Sequence, residues 1–108
     1  MFAGQEREQF RALLLAHGGD ILGVVESFGS KDEVDFPARA IFGEALRHDA
    51  QAIIVAHNHP SGDPSPSQAD LAVTRQFVST ARCLRIQAFD HLIFAQERFT
   101  SFRKDGLL

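Results

Sequence analysis

Ala52-Ile53-Ile54-Val55-Ala56 leads directly into His57-Asn58-His59-Pro60-Ser61-Gly62-Asp63-Pro64-Ser65-Pro66-Ser67-Gln68-Ala69-Asp70. The first five residues are apolar and include β-branched side chains, which reads as a short buried strand. Strand side chains alternate, so His57 and His59 can project to one side where that strand ends. The Pro-, Ser-, Gly- and Asp-rich stretch that follows is loop, and a helical pattern begins near Ser67. Asp70 then lies in the first helical turn, on the face of Ser67. Ser67-Gln68-Ala69-Asp70 also fits a capping box, with the Ser hydroxyl on a backbone N–H and the acid reaching back. Capping and chemistry are compatible. Two imidazoles and a carboxylate, delivered from a strand end and a helix start, suit a divalent cation with a fourth position left for water, as catalytic zinc sites are built. A mixed nitrogen–oxygen set of His57, His59 and Asp70 makes Zn2+ the first choice of metal.

Outward from this stretch, Pro37 sits where a helix accepts proline, and Ile41, Phe42, Ala45 and Leu46 carry a helix to about His48. His48 reads as a solvated helix-end residue. Upstream, Ile21 to Phe28 reads as a strand closed by Gly29-Ser30, and Val34-Asp35-Phe36 as a second short strand able to pair with it. Glu6 to Ala16, with Phe10, Leu13 and Leu14 and an acidic first turn, reads as an amphipathic helix stopped by Gly18-Gly19. His17 beside that stop is a favourable charge at a helix end. Downstream, Leu71, Thr74, Phe77, Val78, Ala81 and Leu84 form the buried stripe of the motif helix, with Cys83 packing at its end. Ile86 to Ala95 is a strand containing Asp90-His91, Gln96-Glu97 is a turn, and Arg98 to Phe102 is a final strand. Asp90 and His91 point to opposite faces, so at most one faces the motif. The preferred reading is a buried polar pair tying strand to loop, and the alternative is that one of them orients a ligand imidazole.

Interleaved helices and strands around one sheet give an α/β layered domain, and the short connections imply a mixed sheet. Its 108 residues make a single domain, an N-terminal helix within 1–19 and a core over 20–108. Ten Phe without Trp or Tyr point to a Phe-filled interior. A formal charge of −3 does not support non-specific duplex binding, which needs cations against phosphates. One cysteine excludes an internal disulfide, no apolar run reaches membrane-spanning length, and the first residues do not read as a signal peptide, so none is expected. The expected compartment is the cytoplasm.

A cation-activated water needs a carboxylate that is not a ligand to accept its proton. Glu26, Glu33 and Glu44 are the candidates. Glu33 follows charged neighbours, and Glu44 lies beside Arg47 as a surface pair. Glu26 lies in an otherwise apolar strand, where an unpaired carboxylate is costly, and is the preferred base unless it points outward. Ser67 can donate its hydroxyl hydrogen bond to a tetrahedral oxyanion.

His57-x-His59, seven residues, Ser67, two residues, Asp70 resembles the JAMM (MPN-type) metalloenzyme motif, and His57 to Pro64 resembles its RadC-type branch. Pro37, Ala50 to Ala56, Asp90-His91-Leu92-Ile93, Ser101-Phe102-Arg103 and Gly106 extend the likeness over roughly residues 20 to 108. Pro37-Ala38-Arg39 departs from the Pro-Arg-Glu typical of that branch. The resemblance implies a three-layer α-β-α, deaminase-like JAB/MPN fold. It also implies a zinc-dependent hydrolase of amide bonds in a peptide or protein substrate, with Glu26 as proton shuttle and Ser67 on the oxyanion. The alternative it carries is a non-catalytic accessory module of DNA repair or DNA metabolism. A nucleobase deaminase is disfavoured, since Cys83 stands alone where that chemistry needs a Pro-Cys-x-x-Cys.

Overall fold

A computed structural model describes residues 8–28 and 36–108. In chain order the elements are β1 (Gln9–Leu15), β2 (Ile21–Phe28), α1 (Ala38–Arg47), β3 (Ala52–Asn58), α2 (Gln68–Cys83), β4 (Gln87–Ala95) and β5 (Arg98–Ser101). The strands form one sheet in the order β2-β1-β3-β4-β5. Only β3 and β4 run parallel, joined through α2, because parallel neighbours need a crossover. The mixed α/β sheet is thus as expected.

β1 corrects the reading of Glu6 to Ala16 as a helix. Phe10, Ala12 and Leu14 are buried, while Arg11, Leu13 and Leu15 are half-buried, a period of two. Phe10, Leu13 and Leu14 fit helical spacing by coincidence; pairing with β2 on one side and β3 on the other decides the matter. Gly18 and Gly19 terminate no helix. They turn the β1–β2 hairpin, with Gly19 at φ 96°, where a side chain would be strained. The partner of β2 is therefore β1. Val34 and Asp35 lie outside the described residues, and Phe36 is not in a strand.

Both helices pack on the same face of the sheet. Ile41, Phe42 and Ala45 of α1, with Phe77 and Ala81 of α2, share one core with Phe10, Ala12, Leu14, Ile53 and Val55. The rings of Phe42 and Phe77 lie 6.3 Å apart, and Phe36 stands edge-on to both. Among the described residues the architecture is therefore a helical layer over a sheet, and the third layer of the expected α-β-α arrangement is not among them. Cys83 is exposed rather than packed. No described helix is long and apolar enough to cross a membrane.

Candidate metal centre

β3 continues past its apolar run through His57 and Asn58, and its register fixes where His57 points. His57 stands opposite Phe10 of β1 and Ile93 of β4, and its ring stacks on Phe10 at 5.6 Å and 3°. His59 follows just beyond the strand, its N–H donating to the Phe94 carbonyl at 2.7 Å. The loop then crosses to α2 and is pinned to β5. Arg98 Nη2 donates to Gly62 O at 2.8 Å, and Thr100 Oγ1 to Pro64 O at 2.8 Å. Gly62 has φ 90°, where a side chain would be strained, and an added Cβ would crowd the Gln96 amide at 3.0 Å.

Ser67 caps α2 as expected. Its Oγ accepts from Asp70 N at 3.0 Å, and its own N–H donates to Asp70 Oδ2 at 2.8 Å. The capping box holds the Asp70 carboxylate against the two imidazoles. Asp70 Oδ1 lies 2.9 Å from His57 Nε2, Oδ2 lies 3.0 Å from His59 Nε2, and the two Nε2 atoms are 3.2 Å apart. A tetrahedral ion with bonds of roughly 2.0–2.1 Å keeps its donors about 3.3 Å apart. The two imidazole nitrogens meet that spacing, and one ligand atom from each of the three residues lies within 4.8 Å of the others, so the trio can serve one ion. His59 Nδ1 lies 2.8 Å from the Asp63 carbonyl, which only accepts. That nitrogen therefore carries the hydrogen, and in the neutral ring Nε2 turns a lone pair inward.

The electrostatics match a site that wants positive charge. Burial alone would push the Asp70 carboxyl up, but hydrogen bonds with His57, His59 and the Ser67 N–H outweigh it and hold the group well below the carboxylate range. His59 is raised, chiefly by its hydrogen bond to Asp70, against the opposing effect of burial. The Asp63 carbonyl and the charges of Asp70 and Glu8 push the same way.

Of Asp90 and His91, His91 is the one that faces the cluster. Its Nε2 is 3.0 Å from His57 Nδ1, its Nδ1 is 2.6 Å from Thr74 Oγ1, and its ring stacks on Phe102 at 4.3 Å. Burial, helped by the nearby charge of His57, lowers its pKa to about 3. Asp90, on the other face, ties β4 to the chain after β5. Its Oδ1 accepts from the N–H of His91 and of Arg103, and its Oδ2 accepts from Ser101 Oγ at 2.6 Å.

The structure does not bring Glu26 to this cluster. Glu26 pairs in register with Arg11, and Arg11 with Ala56, whereas Phe10 and His57 occupy the alternate face. Its carboxylate is half-exposed and 3.5 Å from Arg11 Nε. Glu44 makes the surface pair expected with Arg47 and a further contact with His48, and Glu33 lies outside the described residues. Among the described residues, an acid outside the motif that does reach the site is Glu8, two residues before Phe10 and so directed to the same face. It lines a cavity of about 340 Å³ with His59, Pro60, Ser61, Asp63, Ser65 and Ser67. Reading Gln9 to Leu15 as a strand is the signal that would have found it.

A mixed sheet that offers His-x-His at a strand end and Asp on the next helix defines a candidate metal centre on a JAB-like fold. The family model described as "RadC-like JAB domain" matches residues 1–107, and the chain belongs to that family. It is 44% identical over 104 residues to a UPF0758 protein of Moorella thermoacetica, covering 95% of this chain and 45% of the relative. The corresponding protein of Symbiobacterium thermophilum is 42% identical over 102 residues, covering 94% and 44%. That of Rhodobacter capsulatus is 43% identical over 107 residues, covering 98% and 50%. The chain thus spans about half the length of these relatives.

Proposed function

We propose that this chain is a zinc-dependent hydrolase of the JAMM type, acting on an amide carbonyl in a peptide or protein. One observation carries the reading: two imidazole nitrogens and a carboxylate converge within 3.2 Å, where unprotonated they offer three acceptors to one another and no donor. A cation at the centre would satisfy all three acceptors at once, whereas in the metal-free chain imidazole N–H groups donate to Asp70 instead. His57, His59 and Asp70 would hold the ion, which when bound acts as a Lewis acid and acidifies a coordinated water.

The remaining chemistry belongs to the cavity. The Glu8 carboxylate takes up a proton and returns it to the departing amine. Ser67 Oγ receives the Asp70 amide on a lone pair, so its O–H stays free to donate to an oxyanion. Asp63 and the serine hydroxyls give the opening a polar rim suited to a peptide backbone.

The test is zinc stoichiometry by elemental analysis, run beside hydrolysis of a mixed peptide library. Wild type should hold one zinc per chain and Asp70→Asn close to none. Wild-type protein that carries no metal after refolding with zinc would refute the reading.

A further inference from the structure

A metal-binding imidazole is useful only if its hydrogen sits on the other nitrogen. For His59 the Asp63 carbonyl settles this. For His57 the nitrogen partner is another imidazole, and two rings in contact leave the direction open. Thr74 closes the question. Its Oγ1 lies 3.0 Å from the Asp70 carbonyl oxygen and 2.6 Å from His91 Nδ1. A carbonyl cannot donate, so the single hydroxyl hydrogen goes to Asp70 O, and Oγ1 must accept from His91 Nδ1–H. The other nitrogen of His91, Nε2, then presents a lone pair 3.0 Å from His57 Nδ1. His57 donates there, and in its neutral ring Nε2 is left bare, facing Asp70 and His59.

We propose that Thr74 and His91 are positioning residues that set the tautomer of His57, so that Nε2 is presented to a cation as a lone pair. The role rests on the cation site proposed above. The relay runs from helix to sheet: Thr74 lies one turn after Asp70 on α2, and His91 lies on β4 beside β3. Each member is buried, Thr74 at 3% exposure, His91 at 0% and His57 at 1%, so water cannot scramble the order of donors. The stack of His91 on Phe102 holds the ring plane in which both nitrogens find their partners. A threonine hydroxyl that bonds the carbonyl four residues back is common in helices. Here the same hydroxyl also receives a ring N–H.

Two measurements test this on the 108-residue protein. The first is a ring-nitrogen proton correlation spectrum of the metal-free form. It should show His91 protonated at Nδ1 and bare at Nε2; a proton on His91 Nε2, in any charge state, overturns the relay. The second is zinc affinity, by competition with a chelator, for Thr74→Val and Thr74→Ser. Loss of an outer hydrogen-bonding partner costs about 10–100-fold in metal affinity, so Thr74→Val should fall by that factor while Thr74→Ser stays near wild type. A packing role alone predicts the reverse order, because Val fills the volume of Thr and Ser omits a methyl. Equal affinities for the two variants would also overturn the proposal. If wild type bound no zinc, the metal reading would fall, and the ring spectrum would still decide the relay.

Discussion

Glu26 and His57 stand on opposite faces of the sheet, with Arg11 3.5 Å from one and Phe10 stacked on the other. Glu26→Gln should therefore leave zinc content unchanged and alter stability by less than about 1 kcal/mol, as for other half-exposed pairs. Glu8→Gln should also retain zinc but lose hydrolysis by roughly 10²–10⁴-fold, the usual contribution of a positioned acid–base group. Parallel zinc and rate measurements on the two variants decide which acid serves the site. Full activity in Glu8→Gln would remove it from the mechanism.

Ser67 has two separable duties, and small substitutions pull them apart. Ser67→Ala should cost about 1 kcal/mol through the lost cap, whereas Ser67→Gly should cost only a few tenths. Both remove the hydroxyl that faces the cavity, so both should lose rate alike. Thermal melts together with turnover numbers make the comparison. Rates that followed stability rather than the hydroxyl would assign Ser67 to capping alone.

The metal-free protein should be most stable near pH 6.5. His91, lowered to about 3 from its ordinary 6.5, binds a proton in the unfolded chain that the folded chain refuses. Stability therefore rises with pH across that window, and the lowered Asp70 acts in the same sense below about 3.8. His59 is raised, so its contribution is fully present below 6.5 and is lost as pH climbs through its folded value. Melting temperatures from pH 4 to 9 should trace this maximum; a steady fall between pH 4 and 6 would contradict it.

Phe77, fully buried between Phe36 and Phe42, joins the two helices to the sheet. Phe77→Ala should cost about 3–5 kcal/mol, a large share of the stability of a small domain. Phe99, exposed at 59%, should cost far less when truncated. Denaturant titration of both variants gives the contrast directly.

The central strand, the helix after it and the cap between them were legible because several local signals agreed there: an apolar run, a turn-rich loop and a capping box. β1 was not legible, since Phe10, Leu13 and Leu14 suit either period and only two flanking strands choose between them. Glu8 was hidden by that same ambiguity. Alternation alone put one of Asp90 and His91 toward the motif, but choosing His91 needed the β3–β4 register, with Val55 opposite His91. Glu26 looked anomalous among Val24, Val25 and Phe28, yet the sheet leaves its face open enough for an Arg11 pair.

His57, His59 and Asp70 all fall between residues 57 and 70, whereas the contact with His91 spans 34 positions of sequence. On the proposed metal reading, a denatured chain can therefore still gather the three donors by closing a short loop and would keep some grip on the ion. Heat resistance gained from the ion should accordingly fall short of what native affinity alone would give. The missing part measures how tightly the donors are held before any sheet exists.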